Sequence, residues 1–171
     1  KVRRALGVDD DASICLYAPT FRADWSVDQY RFDFDAFIRA ISERFGKDYV
    51  FAYRLHPNIA KLTRPEFLNG YLDATDYLDA QELLAATDVM VSDYSSILED
   101  VALTGRPGFV YAPDFDAYSC DRGFYYSLED RPFSVARTSD ELIANARGFD
   151  ERDYRKALDR FFSLIGFQDD G

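Results

Sequence analysis

The stretch Thr87 to Pro107, TDVMVSDYSSILEDVALTGRP, decides how the rest of the chain is read. Thr87 to Val91 reads as a short buried strand, and from Tyr94 to Thr104 the residues Ile97, Leu98, Val101 and Ala102 recur at helical spacing. Between them lies Ser92-Asp93-Tyr94-Ser95-Ser96. A strand that turns tightly into a helix leaves backbone N–H groups and the positive end of the helix dipole facing whatever lies above the sheet, which suits an anion. Ser95 and Ser96 add two hydroxyls that donate to phosphate oxygens without bulk that would hold the phosphate off the backbone. Ser96 and Asp100, four apart, share a helix face, so a phosphate at the serine would bring its ribose to the carboxylate, with Glu99 beside it. The same letters also spell a capping box, Ser96 with Glu99, that merely closes a surface helix. Taken alone, the segment favours the cap, because such spacings are common by chance.

On either side of this unit, strands and helices alternate. Before it, Ser13 to Tyr17 reads as a strand stopped by Ala18-Pro19, the polar and aromatic run Thr20 to Tyr30 as a loop, and Asp33 to Phe45 as an amphipathic helix ended by Gly46. Tyr49 to Leu55 is a second strand, halted at His56-Pro57. Leu62 to Asn69 is expected to be a short helix with Pro65 in its first turn, Gly70 to Leu72 a brief strand, and Asp79 to Ala86 a helix. After it, Gly108 to Tyr111 and Pro132 to Ala136 read as strands, Asp114 to Tyr126 as an aromatic loop, and Ser139 to Ala146 and Asp150 to Leu164 as helices. Continuous rather than alternating apolar strands, each followed by a helix, predict an α/β fold. It is a Rossmann-like three-layer αβα arrangement with a mostly parallel sheet. Such sheets bind ligands at the carboxyl ends of their strands. Arg22, His56 and Ser92 to Ser96 all follow strands, so they are expected on one rim.

Composition removes several classes of function. With 171 residues the chain is expected to be a single domain, 1–171, large enough for a real core. A formal charge of −11 argues against nucleic acid or an anionic lipid surface as partner. No apolar run is long enough to span a bilayer and the first residues do not form a signal peptide. Cys15 and Cys120 make no metal spacing and no disulfide framework, which points to a reducing cytoplasm. His56 is the only histidine, excluding paired-histidine metal sites and acid–base schemes that need two imidazoles in this chain; no metal is expected. Arg54 lies two residues earlier, on the same strand face, and Arg22 and Arg122 are candidate phosphate forks. An imidazolium at His56 beside a pyrophosphate would stabilise charge on a leaving nucleotide. There is no P-loop, no glycine-rich dinucleotide fingerprint and no nucleophile elbow. The absence of an initiator Met and of end signals suggests a fragment of a longer protein.

With these residues laid out, the chain resembles the CDP-glycerol glycerophosphotransferase family, the teichoic acid primases and polymerases of bacterial cell walls. The resemblance runs through LYAPTFR at Leu16 to Arg22, RLHP at Arg54 to Pro57, ATDVMVSDYSSILED at Ala86 to Asp100, GRP at Gly105 to Pro107, FVYAPDFDAY at Phe109 to Tyr118 and RGFYY at Arg122 to Tyr126. It implies the C-terminal, nucleotide-binding half of a two-lobed GT-B transferase whose N-terminal acceptor lobe lies outside this sequence. The implied donor is CDP-glycerol, with no cofactor: an acceptor glycerol hydroxyl attacks the β-phosphorus and CMP leaves. Carried over, His56 and the Ser95-Ser96 turn, with Ser92, Arg54 and Arg22, would hold the pyrophosphate, Arg122 would add a phosphate contact, and Asp100 with Glu99 would meet the ribose. The phosphate reading of the opening stretch then overtakes the cap. The base for the acceptor would sit on the other lobe, so the fragment alone is expected to bind nucleotide weakly and turn over nothing. Two rivals remain: a related transferase using CDP-ribitol or a nucleotide sugar, and a non-catalytic interaction domain presenting Asp114 to Tyr126. The full protein is expected in the cytoplasm, peripheral at the inner face of the membrane where its polymer grows on a lipid carrier.

Overall fold

The run Ser-Ile-Cys-Leu-Tyr forms strand β1 (Ser13–Tyr17), and its last four residues are buried because both faces of the sheet are covered. A computed structural model describes residues 1–22, 24–60, 64–116 and 128–167. It places β1 with β2 (Tyr49–Tyr53), β3 (Leu72–Asp73), β4 (Val89–Ser92), β5 (Gly108–Tyr111) and β6 (Ser134–Ala136) in one sheet of order β3-β2-β1-β4-β5-β6. Every pairing is parallel. Tyr17 stands level with Tyr53 on one side and Val91 on the other, so β1, β2 and β4 end together.

Successive strand residues feed two separate cores. On one face Cys15, Val89 and Phe109 pack under α2 (Phe34–Phe45) and α6 (Ser139–Arg147) through Phe37, Ile41 and Leu142. On the other, Ile14, Leu16, Met90 and Val110 meet α1 (Val2–Leu6), α4 (Ala80–Ala86), α5 (Ile97–Ala102) and α7 (Glu151–Ile165) through Leu83, Leu98 and Leu158. The expected three-layer Rossmann-like fold is therefore present. The first core is rich in rings: Phe32 meets Phe34 edge-on at 4.4 Å, and Phe37 meets Phe109 at 5.6 Å. Cys15 is a buried thiol whose pKa burial raises, so it is chemically quiet; Cys120 lies outside the described residues.

Several expected boundaries move, each for a local reason. The helix expected over 62–69 is instead a short helix α3 (Pro57–Ala60) and a single 3-10 turn, Glu66–Leu68. Pro65 sits before that turn in extended backbone rather than within a helix. Gly70 adopts φ 93, so the third strand begins at Leu72 rather than at Gly70. The central helix starts at Ile97, not Tyr94, because Asp93 and Asp114 hold Tyr94 in the turn. The last strand begins at Ser134, not Pro132.

Candidate functional site

From β1 the strand order runs outward to β2 and β3, then restarts on the other side with β4. The loops leaving β1 and β4 therefore flank a crevice at their carboxyl ends. Its floor is a buried ionic cluster. Asp93 follows β4 directly and is 2% exposed. Its carboxylate accepts from the Thr20 N–H at 2.9 and 3.0 Å, from the Thr20 hydroxyl at 2.5 Å and from the Tyr94 N–H at 2.8 Å. One side chain thus ties together the loops on both sides of the crevice.

Arg22 completes the cluster. Its Nη1 lies 2.8 Å from Asp93 and donates to the Thr20 carbonyl at 2.7 Å, while Nε and Nη2 donate to Asp114 at 2.6 and 3.1 Å. The guanidinium also lies over the Tyr94 ring at 4.9 Å, and the Tyr94 hydroxyl donates to Asp114 at 2.8 Å. Burial works against the Arg22 charge, but the two carboxylates outweigh it and hold its pKa above the usual value. Burial likewise pushes Asp114 up, and hydrogen bonds from Arg22 and Tyr94 reverse this, leaving its carboxyl below the ordinary range.

Three residues expected to touch pyrophosphate are thereby placed elsewhere. Arg22 is turned inward onto Asp93 and Asp114 rather than out as a phosphate fork. Arg54 lies past the end of β2, and its Nη1 donates to the carbonyls of Ala74 and Tyr77, at 3.3 and 2.6 Å, instead of sharing a strand face with His56. Ser92 is fully buried and donates to the Ala18 carbonyl at 2.6 Å. All three hold loops in position. Arg122 and most of the Asp114–Tyr126 loop lie outside the described residues.

The groups that do face outward are His56, Ser95, Ser96 and Asp100. His56 is exposed and opens α3, where its Nδ1 accepts the Asn58 N–H at 3.2 Å. With Nδ1 accepting, the proton of a neutral ring sits on Nε2. Phe21, on the β1 loop, lies 5.5 Å from the imidazole, ring to ring. Ser95 accepts the Ile97 N–H at 3.3 Å, whereas the Ser96 side chain makes no capping bond, so the capping box does not form. Glu99 points instead to Arg131 at 3.3 Å, while Asp100, one residue on, is exposed. The strands β2 and β4 flank β1, so their carboxyl ends stand about two strand spacings, roughly 10 Å, apart. Asp93, Asp114, Thr20 and Phe21 escaped the sequence reading. An acid directly after a strand, paired in space with the arginine of TFR, was the signal for the first.

Arg131 is anomalous. Its side chain is 8% exposed, and its Nε and Nη1 are buried with no hydrogen-bond partner. Arg131→Met removes that desolvated charge while Glu99 stays partly in water, so it is expected to leave stability unchanged or raise it by about 1–2 kcal/mol in urea unfolding. A loss of that size would mean that the ion pair outweighs its desolvation. Among the described residues, no group of three or more His, Cys, Asp and Glu is placed to hold a metal ion, and no helix is long and apolar enough to cross a membrane.

The comparisons with known proteins agree with one another. A family model described as CDP-glycerol:poly(glycerophosphate) glycerophosphotransferase matches residues 1–171. The teichoic acid poly(glycerol phosphate) polymerase of Bacillus subtilis (strain 168) is 30% identical over 159 residues, covering 90% of this chain and 21% of that protein. The teichoic acid poly(ribitol-phosphate) polymerase of Bacillus spizizenii (strain ATCC 23059 / NRRL B-14472 / W23) is 33% identical over 142 residues, covering 78% of this chain and 22% of that protein. A solved structure of a variant of the wall teichoic acid polymerase TagF, soaked with CDPG, superposes with a TM-score of 0.72 at 27% identity, covering 98% of this chain and 41% of that one. The chain spans less than half the length of each of these proteins.

Proposed function

Because the chain belongs to the CDP-glycerol:poly(glycerophosphate) glycerophosphotransferase family, we propose that it forms the donor-binding lobe of a GT-B-type enzyme. That enzyme moves glycerol phosphate from CDP-glycerol onto a growing teichoic acid chain. The observation that carries this reading is the arrangement of outward polar groups. His56, Ser95 and Ser96 line one rim beside the switch of strand order, while Asp93 and Arg22 lock the two loops between them. The serine hydroxyls and the N–H groups of their turn hold the diphosphate, the His56 Nε2–H donates to it, and Asp100 accepts from a ribose hydroxyl. An acceptor hydroxyl oxygen bonds to the β-phosphorus as the bond to the bridging oxygen breaks. CMP carries away that electron pair, and the hydroxyl proton passes to a base outside this chain. Arg22, Arg54 and Ser92 act as positioning residues. Residues 1–171 alone bind the donor and turn over nothing. The lipid-linked acceptor brings the full protein to the cytoplasmic face of the membrane.

Calorimetric titration with CDP-glycerol tests the reading. Binding is expected, weakened about tenfold in the double variant Ser95→Ala with Ser96→Ala, the loss of roughly one charge-assisted hydrogen bond. Heats equal to buffer dilution for the unmodified protein would overturn it. The similarity to a ribitol-phosphate polymerase favours CDP-ribitol as the second reading; tighter binding of CDP-ribitol than of CDP-glycerol or a UDP-sugar in competition would establish that donor instead.

A further inference from the structure

Trp25 is the chain's single tryptophan, and it is 48% exposed. Its backbone sits at φ 62, the one non-glycine residue in the left-handed region among the described residues. Bulky residues rarely hold that conformation, and such strain persists where the surroundings over-determine it, often at ligand clamps. Here the surroundings are the buried cluster: the Trp25 N–H donates to the Arg22 carbonyl at 3.1 Å, and Arg22 is anchored by Asp93 and Asp114. The indole meets Phe21 edge-on at 4.9 Å and 78°, and Phe21 in turn lies against His56. Three rings therefore run along the rim from the histidine and finish in an open indole.

We propose that Trp25 is the platform on which the polyol of the CDP-linked donor packs, and that it is a determinant of polyol specificity. This rests on the donor reading above. With the ribose at Asp100 and the diphosphate between Ser95-Ser96 and His56, the nucleoside end lies on the β4 side. The outer phosphate and its polyol then emerge at the His56 end, where Phe21 and Trp25 stand. Seating the cytosine on Trp25 instead would draw the ribose away from Asp100. A polyol presents C–H groups that pack on an indole face while its hydroxyls stay in water. A five-carbon polyol covers more of that face than a three-carbon one, so the ring reads chain length.

Because no other tryptophan contributes, the emission of the protein reports this site directly. CDP-glycerol is expected to shift or quench it, CDP and cytidine to leave it within a few per cent. Trp25→Asn removes the ring but suits the left-handed backbone. In the unmodified protein CDP-glycerol is expected to bind about three- to tenfold more tightly than CDP, and the variant is expected to bring the two affinities to within twofold of each other, with CDP binding unchanged. If CDP alone moves the emission as far as CDP-glycerol does, the base occupies the ring and the proposal is overturned. It is overturned equally if calorimetry detects CDP-glycerol binding while emission and the affinity ratio in Trp25→Asn stay as before. Absence of any CDP-glycerol heat would instead remove the donor site itself.

Discussion

Replacing Arg22 by leucine is expected to lower stability by about 3–5 kcal/mol, the usual penalty for removing one partner of a buried ion pair. For a 171-residue chain that corresponds to a fall in melting temperature of roughly 6–20 °C. The reason lies in what remains: Asp93, with its side chain 2% exposed, and Asp114, at 22%, keep their charge and lose the guanidinium that compensated it. Leucine fills part of the volume and offers no donor to either. The pH dependence carries the sign. The folded-state pKa of Asp114 is depressed, so its contribution is present above the unfolded value of about 3.9 and is lost as pH falls through the lower folded value. In Arg22→Leu the Asp114 carboxylate is instead relieved by protonation, so the gap between the two proteins is expected to narrow below about pH 4. Urea unfolding at neutral and acid pH measures both effects. A gap under about 1 kcal/mol at neutral pH would show that water compensates the carboxylates.

Turnover of CDP-glycerol by the full-length protein is expected to fall about 10²- to 10³-fold in His56→Ala, the range found when one preorganised donor to developing charge is removed. The Asn58 N–H occupies Nδ1, which fixes the ring and leaves Nε2–H as the donor on the rim. His56→Gln, which can place an amide N–H near that position, is expected to recover part of the loss, whereas Ala cannot. Melting should change by only a few degrees in either variant, because the exposed ring contributes mainly one capping bond, worth about 1 kcal/mol. A decrease in rate below threefold, with folding intact, would remove His56 from the chemistry.

Most of the architecture is legible in the sequence. Runs such as SICLY and VMVS are apolar on both sides, and helices separate the strands, which is the pattern only a doubly covered parallel sheet satisfies. At Pro65, Gly70 and Tyr94 a single dihedral or a distant hydrogen bond overrides local preference and shifts the element boundary. The rim was legible too, since each strand's end marks which residues come next. Which of those residues turn outward was not.

Local sequence, then, established the parallel αβα sandwich, its rim and the serine turn after β4, because periodicity and turn chemistry are properties of neighbours along the chain. The inward turn of Arg22, Arg54 and Ser92 depended on residues far away: Asp93 and Asp114 for Arg22, the Ala74 and Tyr77 carbonyls for Arg54, and Ala18 for Ser92. A buried charge or hydroxyl takes the acceptor that folding brings within reach, and that acceptor lies tens of positions away in the chain.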